Sequence, residues 1–415
     1  MTAPRPHRPV PIRLINAADR VASRLGLHVA RLDEETLLHL ARKQAGLDDF
    51  GPETFRAGLH QLLASLARDH RLTAVGRLFS RGQILGLLTN RLRLIDHRQR
   101  HPELADEGIQ RPLFVLGLPR TGTSILHGLL AQDPAHRSPL AWEVAASCPP
   151  PEAATYDTDP RIGRTDRQLN QLRKLAPGFD AIHPMAARLP QECVAILAHE
   201  FQSIQLTTMY NVPSYLAWLE QQDLRPAYCF HRQFLQHLQS RRPGGRWVLK
   251  TPAHLMAIDA LLGVYPDAMI VQTHRDPVEV MASVSSLHYT LQSATSDAID
   301  PHATGRQQLE LWSRALRRGM EARERQARQA EQFFDLHYPD LLADPLACVR
   351  RTYEHFDLEL TGEATKHMEQ FLANHSQHKH GVHRYAPETF GIDPVRDARH
   401  FQDYCDRYGV EKTKG

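Results

Sequence analysis

Apolar side chains recur along the chain with two different periods. Between residues 10 and 105 they return at helical spacing, as in the segments that begin at Glu35 and Phe55. Farther along, short apolar runs alternate with helical stretches, and we predict strands at residues 112–117, 246–250, 268–274 and 332–338. Because strands that alternate with helices form parallel sheets covered on both faces, the pattern predicts an α/β fold with a helical N-terminal subdomain.

Two polar stretches interrupt this pattern. Arg98–Gln110 is polar and links the helical part to the α/β part, and residues 304–331 predict a long charged helix with a solvated face. We predict a helical N-terminal subdomain at residues 1–105, an α/β domain at residues 111–395 and a C-terminal tail at residues 396–415.

The composition narrows the class of protein. Apolar residues make up 42% of the 415 residues, which is enough for a large core and too many for a disordered chain. No apolar run approaches the roughly 20 residues of a membrane span, and the N-terminus lacks the apolar stretch of a secretory signal. Five scattered cysteines favour reduced thiols, so we expect a cytoplasmic protein. The net charge of +3 does not call for a nucleic-acid partner, and the oligomeric state stays open.

A short loop after the first predicted strand has the features of a phosphate-binding loop. The apolar run Leu113–Leu116 breaks at Gly117, and the loop opens directly onto a helical segment, as in a P-loop. The spacing of Gly117 and Gly122 matches the nucleotide-triphosphatase pattern. Thr123, however, takes the place of the lysine, and Arg120 supplies the positive charge inside the loop. We therefore predict a P-loop-type parallel sheet whose loop binds a phosphate other than the β/γ-phosphates of ATP.

A second phosphate-binding motif follows the strand at 268–274. That strand ends in Arg275, and Asp276 and Pro277 then begin a helix with proline in its first turn. Ser283 lies eight residues after Arg275, about 11 Å along a helix. The two side chains therefore converge only on a ligand that lies across the start of the helix.

Together the two motifs resemble those of the sulfotransferases, which bind 3′-phosphoadenosine-5′-phosphosulfate (PAPS). The resemblance covers roughly residues 111–390 and extends to bacterial sulfotransferases and, in motif layout, to protein-tyrosine sulfotransferases. It implies that PAPS donates a sulfonate group to a hydroxyl-bearing acceptor by in-line displacement and that no metal is needed. The residues that it assigns to the donor in these two motifs are Arg120, Thr121, Gly122, Thr123, Ser124, Arg275 and Ser283.

The same resemblance suggests the catalytic groups. Glu143 follows the P-loop helix where relatives carry a catalytic glutamate, and a carboxylate beside Trp142 is suited to deprotonate an acceptor hydroxyl. His183 is the rival base, and a glutamate that only caps or pairs in a loop is the structural alternative. Lys250 ends a buried-looking strand, where a lysine is costly unless it meets an anion, so a cofactor contact is favoured over a structural ion pair. With Arg120 it is expected to stabilise charge on the leaving phosphate oxygen.

Farther along the chain the resemblance is weaker. Tyr338–Leu341 resembles the family's late strand-end signature, and residues 381–385 lie where relatives fold a loop over the nucleotide. Lys379 and Arg384 are therefore expected to meet the 3′-phosphate. The four histidines between residues 375 and 383 have spacings that a metal can use, but no acid or thiol completes a set, so we predict no metal.

Two other functions fit parts of the pattern. A P-loop kinase that phosphorylates a small molecule is the alternative enzyme, although the loop lacks its lysine. A non-catalytic scaffold is the third class, and the presence of Arg120, Glu143, Lys250 and Arg275 argues against it. The sequence does not distinguish a carbohydrate, lipid, phenol or peptide acceptor, although the aromatic side chains within 183–235 are candidates for lining its cleft.

Overall fold

A five-stranded parallel sheet forms the centre of the protein. The structure is a computed structural model that describes residues 16, 30–175, 185–242, 244–374 and 386–411. The strands are β1 (Leu113–Gly117), β2 (His136–Arg137), β3 (Arg246–Lys250), β4 (Met269–His274) and β5 (Phe333–His337). They pair in the order β2-β3-β1-β4-β5, and every pairing is parallel. The four predicted strands and the parallel α/β sheet are therefore confirmed, and the two-residue strand β2 is an addition that is too short to show a pattern.

Both faces of the sheet are covered, as the near-continuous apolar strands predict. On β1, Phe114 and Leu116 point into one hydrophobic core, and Leu113 and Val115 point into a second core on the opposite face. All five β1 residues are buried. A strand that is buried on both sides has no polar face, and for this reason β1 appears in the sequence as an unbroken apolar run.

Helices surround this sheet. The α-helices of the described residues are α1 (Glu34–Ala45), α2 (Thr54–Arg68), α3 (Ala74–Arg100), α4 (Thr123–Leu130), α5 (Ala141–Ala145), α6 (Pro160–Leu175), α7 (Cys193–Leu197), α8 (Gln205–Met209), α9 (Pro213–Leu219), α10 (Arg225–Gln239), α11 (Ile258–Val264), α12 (Pro277–Thr295), α13 (Pro301–Arg325), α14 (Tyr338–Ala343), α15 (Pro345–His355), α16 (Gly362–Asn374), α17 (Pro394–Asp397) and α18 (Gln402–Tyr408). Short 3₁₀ turns lie at Pro102–Asp106, Ala153–Thr158, Ala198–Glu200, Pro252–Met256, Ala327–Gln332, Pro387–Phe390 and Ala398–Phe401.

The N-terminal helices pack against the α/β part through a shared core. Leu37 of α1, Leu62 of α2 and Leu88 of α3 belong to the same hydrophobic cluster as Phe114 of β1. A buried ion pair, with 2.6 Å between Arg91 Nη1 and Glu200 Oε1, adds a polar link. The helical character of this region is as predicted, and its treatment as a separate unit at residues 1–105 stays a prediction.

The C-terminal helices also contribute to the core. Phe401 and Tyr404 are almost fully buried and belong to the cluster that contains Phe114. Helix α18 ends at Gly409, whose φ of 60° is the left-handed conformation that commonly closes a helix. Residues of the predicted tail at 396–415 thus pack on the α/β part as far as Val410.

Candidate active site

The order of the strands brings the predicted motifs to one edge of the sheet. Strand β1 lies between β3 and β4, and all three run in the same direction. Val115 is level with Lys250, and Gly117 is level with Thr273. The loop after β1, the end of β3 and the end of β4 are therefore neighbours, as ligand sites of open α/β sheets require.

The loop after β1 turns tightly against β4. A Cβ atom at Gly117 would lie 2.4 Å from Thr273 Oγ1 and 2.5 Å from the Thr273 carbonyl oxygen, so only glycine fits there. Thr121 Oγ1 lies 2.6 Å from both the Leu118 carbonyl oxygen and Thr273 Oγ1. The Thr121 hydroxyl thus holds the loop in shape from inside.

The remaining loop residues lead into α4. Arg120 has a φ of 68° and Gly122 a φ of 89°. Arg120 and Ser124 are exposed, whereas Thr123 is buried. The backbone N–H groups of the first turn of α4 therefore begin beside an exposed cationic loop, which is an arrangement that binds anions.

Lys250 reaches this loop from the end of β3. The residue is 3% exposed, and its Nζ lies 3.2 Å from Ser124 Oγ. The same Nζ lies 2.5 Å from Glu192 Oε1, and the Thr251 hydroxyl donates to Glu192 Oε2 at 3.0 Å. In this structure Lys250 thus forms a structural ion pair with a carboxylate, and its contact with the cofactor stays a prediction.

Glu192 is the main residue that sequence reasoning missed. It directly precedes α7, and its side chain is 18% exposed. The sequence signal is weak, because an acid before a short helix is common at helix starts. Only the fold places this carboxylate beside Lys250, which lies 58 residues farther along the chain.

The second motif contacts the loop through Arg275. Arg275 Nη1 donates to the Arg120 carbonyl oxygen at 2.9 Å, and the guanidinium also pairs with Glu279. Its Cζ lies 4.2 Å from the centre of the Tyr338 ring. Ser283, on α12, is 2% exposed. The structure thus brings Arg275 to the P-loop, with Tyr338 of the predicted strand-end signature beneath it.

A buried network fixes the end of β4 just before Arg275. His274 is fully buried, with Nε2 at 2.8 Å from Asp335 Oδ1 and Nδ1 at 2.8 Å from the Tyr404 hydroxyl. Because a carboxylate only accepts, Nε2 donates to Asp335 and Nδ1 accepts from Tyr404. Arg323 adds a two-pronged ion pair to Asp335. Burial alone would raise the pKa of Asp335, but His274 and Arg323 outweigh it and hold that pKa well below its usual value.

Glu143 lies in a closed cluster at the start of α5. The residue is 0% exposed. Its Oε1 accepts from Arg137 Nη2 at 3.0 Å and from the Tyr156 hydroxyl at 3.2 Å, and its Oε2 accepts from the Leu140 amide at 2.7 Å. The structure therefore shows Glu143 as a buried, paired carboxylate, and its role as the base stays a prediction.

Three of the predicted site residues lie outside the described residues. They are His183, Lys379 and Arg384, and the four histidines at 375, 378, 380 and 383 lie outside as well. Within the described ranges, no group of three or more histidine, cysteine, aspartate or glutamate side chains could hold a metal ion. None of the described helices is long and apolar enough to cross a membrane.

The fold and the loop define a P-loop-type α/β protein, and the comparisons name its family. A sulfotransferase family model matches residues 112–362. The chain therefore belongs to the sulfotransferase family, and its predicted activity as a sulfotransferase is confirmed.

Two solved structures and one named relative that are similar to this chain are also sulfotransferases. The chain is 36% identical to sulfotransferase STF1 of Mycobacterium tuberculosis H37Rv, with a TM-score of 0.80 over 89% of this chain and 98% of the relative. It is 31% identical to sulfotransferase STF9 of Mycobacterium avium, with a TM-score of 0.83 over 93% and 99% of the two chains. It is also 27% identical to the ω-hydroxy-β-dihydromenaquinone-9 sulfotransferase Stf3 of Mycobacterium tuberculosis, over 72% of this chain and 76% of Stf3.

Proposed function

We propose that this sulfotransferase transfers a sulfonate group from PAPS to a hydroxyl group of an acceptor. The observation that carries the proposal is the meeting of three strand ends, where Lys250 contacts Ser124 and Arg275 contacts the backbone of Arg120. One cation, Lys250, thus lies beside Ser124, and another, Arg275, lies beside Arg120. A donor with separate 5′ and 3′ anionic groups requires two such cations. The family's general use of PAPS supports the same choice.

In this proposal the loop and Lys250 bind the 5′-phosphosulfate. The N–H groups at the start of α4 and the exposed Arg120 face the anion, and Lys250 Nζ lies beside Ser124. Charge grows on the phosphate oxygen as the sulfonate departs, and fixed cations in a partly dry site stabilise that charge most effectively. Arg275 and Ser283 would hold the 3′-phosphate across the start of α12, with Lys379 and Arg384 as further candidates.

For the proton of the acceptor hydroxyl, the geometry favours Glu192 over Glu143. A general base must come within hydrogen-bond distance of the proton that it removes. Glu192 is partly exposed and lies beside Lys250, whereas Glu143 is enclosed by Arg137, Tyr156 and Leu140. We propose that the donor draws Lys250 away from Glu192 and so frees this carboxylate for the acceptor. Glu143 and His183 remain the bases that the sequence predicts.

We further propose that the acceptor is an apolar alcohol. A largely apolar cavity of about 30 Å³ is walled by Leu197, which follows Glu192 by five residues, and by Ala253, which follows Lys250 by three. This volume takes no more than a few waters, so an acceptor enters it only when the walls move apart. Gln202 also lines it, and Gln202 Oε1 is buried without a hydrogen-bond partner among the described residues. The relative Stf3, named for a hydroxylated menaquinone, supports the same class of acceptor. We place the reaction in the cytoplasm, in keeping with the scattered cysteines.

The donor is tested first by ligand stabilisation. We expect adenosine 3′,5′-bisphosphate to raise the melting temperature and ATP with magnesium to do so far less, because the loop lacks the lysine that grips a triphosphate. Thermal denaturation at equal ligand concentrations measures this difference. Equal or stronger stabilisation by ATP with magnesium would contradict the choice of PAPS. Turnover of PAPS against a panel of alcohols, carbohydrates and phenols, read by mass spectrometry as the gain of one sulfonate, then identifies the acceptor class.

A further inference from the structure

A second cationic site lies away from the P-loop, at the end of α3. We call it the α3 crevice, and its lining residues are Arg93, Asp96, His97, Arg100, His101, Cys148, Pro149 and Arg241. It holds a volume of about 380 Å³ and is open to solvent on one side. This space is large enough for a phosphate or pyrophosphate group together with several waters.

The charges of the lining residues favour an anion. Three arginines face the crevice, and Asp96 is the one carboxylate among the residues that line it. Asp96 pairs with Arg100, while Arg241 pairs with Glu152 at the rim, with 2.6 Å between Arg241 Nη1 and Glu152 Oε1. These pairs are exposed, so each exchanges its partner at little cost when a stronger anion arrives.

Two stacked histidines line one side of the crevice. His97 is 8% exposed, and its Nδ1 has no hydrogen-bond partner among the residues that the structure describes. Its ring stacks on His101 at 4.4 Å and meets the His237 ring edge-on at 4.8 Å. His101 Nδ1 in turn lies 3.0 Å from Glu103 Oε1.

The environment of His97 is unfavourable for a proton. Burial lowers the pKa of His97 to about 4, and the nearby His101, Arg241 and Arg100 lower it further while Asp96 opposes them. The cations around the ring thus act more strongly on it than the nearby carboxylate does. An added negative charge would reverse that balance.

The position of the crevice separates it from the donor loop. Arg241 lies between α10 and the amino end of β3, whereas Lys250 lies at the carboxyl end of the same strand. The five residues of β3 span about 16 Å at the usual rise of a strand. A ligand in the α3 crevice therefore does not overlap one bound at the P-loop.

We propose that the α3 crevice is a second anion site, which binds a small multiply charged phosphate such as pyrophosphate between the arginines and the His97–His101 stack. The site lies outside the donor and acceptor region, and it holds whether or not PAPS proves to be the donor. Its affinity resides in Arg93 and Arg241, which line the crevice.

Isothermal titration of pyrophosphate, at constant ionic strength, tests this site. The titration uses the full chain saturated with adenosine 3′,5′-bisphosphate, and it is repeated on the Arg275→Ala chain, which weakens the donor loop instead. We expect one pyrophosphate per chain in both, with binding weakened about tenfold by Arg93→Gln and by Arg241→Gln, the scale of a lost charge-assisted hydrogen bond. Arg225→Gln is the matched control. Arg225 is an exposed arginine that pairs with Asp223, and it begins α10, the helix that ends shortly before Arg241.

Inorganic phosphate and sulfate, titrated in parallel, distinguish a phosphate site from general anion attraction, since sulfate should bind at least several-fold more weakly than pyrophosphate.

Three results would overturn the proposal. The first is the absence of binding once the donor loop is saturated, and the second is unchanged affinity in the Arg93 and Arg241 variants. The third is an equal loss of affinity in Arg225→Gln, which would show only a change in overall charge. Melting curves of each variant establish that the folded chain is being titrated.

Discussion

Two glutamates of the α/β part, Glu143 and Glu192, are each paired with a cation, and their surroundings differ. Glu192 pairs with Lys250 at the edge where the strands end, and its side chain is 18% exposed. Glu143 pairs with Arg137 in a closed cluster, with both side chains at 3% exposure or less. We expect the first pair to open when a ligand competes for the lysine and the second to open only if the cluster comes apart.

The role of a carboxylate near an active site thus depends on whether solvent and ligand can reach it. Glu143 makes three hydrogen bonds to its own neighbours, so its contribution is expected in stability. Lys250, the partner of Glu192, also contacts Ser124 of the loop that we propose binds the donor. We therefore expect Glu192 to contribute to turnover.

The largest effect is expected from Glu192→Gln. If Glu192 is the base, the substitution keeps its size and abolishes its basic function, so turnover should fall by about 10²- to 10⁴-fold. Steady-state kinetics with PAPS and an accepted alcohol measures the fall. Any loss of thermal stability should be recovered by adenosine 3′,5′-bisphosphate, because its 5′-phosphate would take the place of the carboxylate beside Lys250. Normal turnover in a folded Glu192→Gln chain would remove Glu192 from the chemistry.

Glu143→Gln should act mainly on folding. Removing the charge leaves Arg137 buried without its counterion, and breaking such a pair costs roughly 3–5 kcal/mol of unfolding free energy. Chemical denaturation measures this loss, with Glu103→Gln as an exposed control. A Glu143→Gln chain of normal stability that has lost turnover would restore the hypothesis from the sequence that Glu143 is the base. If only the His183→Asn chain keeps normal stability and loses turnover, His183 is the base.

Arg275→Ala should weaken the donor rather than slow the chemistry. The guanidinium is a third cation held by an acid, Glu279, and it is the one predicted to meet the 3′-phosphate. Losing a charge-assisted hydrogen bond costs about 1.5–3 kcal/mol, or about 10- to 100-fold in Kd. Binding of adenosine 3′,5′-bisphosphate and of adenosine 5′-phosphosulfate should be compared in both chains. If Arg275→Ala still distinguishes these two ligands as well as the unchanged chain does, Arg275 does not bind the 3′-phosphate.

For a change of one pH unit, the smallest effect per group is expected from acid, which weakens the fold independently of either pair. Burial lowers the pKa of His70, His199 and His288 to about 4 each. Below pH 6.5 the unfolded chain binds protons at these rings while the folded chain does not, so stability is lost as the pH falls from 6.5 to 4. Each histidine contributes up to about 1.4 kcal/mol per pH unit in that window. Denaturation curves at pH 7.5, 6.5, 5.5 and 4.5 test this, and a constant unfolding free energy would contradict it.

Much of the fold could be predicted because its central strands are buried on both faces. Such strands leave unbroken apolar runs, and the loop after β1 carries glycine where β4 passes within contact distance. Strand β2 and the packing of α17 and α18 could not be predicted, since two residues form no pattern and short helices depend on their neighbours. The long helix predicted at 304–331 is observed as Pro301–Arg325, followed by a 3₁₀ turn.

The family, the P-loop and the cations at the strand ends could be predicted from the residues alone, because these depend on local spacing and on the direction of neighbouring parallel strands. Only the tertiary structure decided which carboxylate meets Lys250, since Glu192 and Lys250 are 58 residues apart and no local pattern joins them. It also decided that Glu143 is enclosed by Arg137 and Tyr156. Access to solvent and the choice of ion-pair partner are properties of packing, and packing exists only once distant segments have come together.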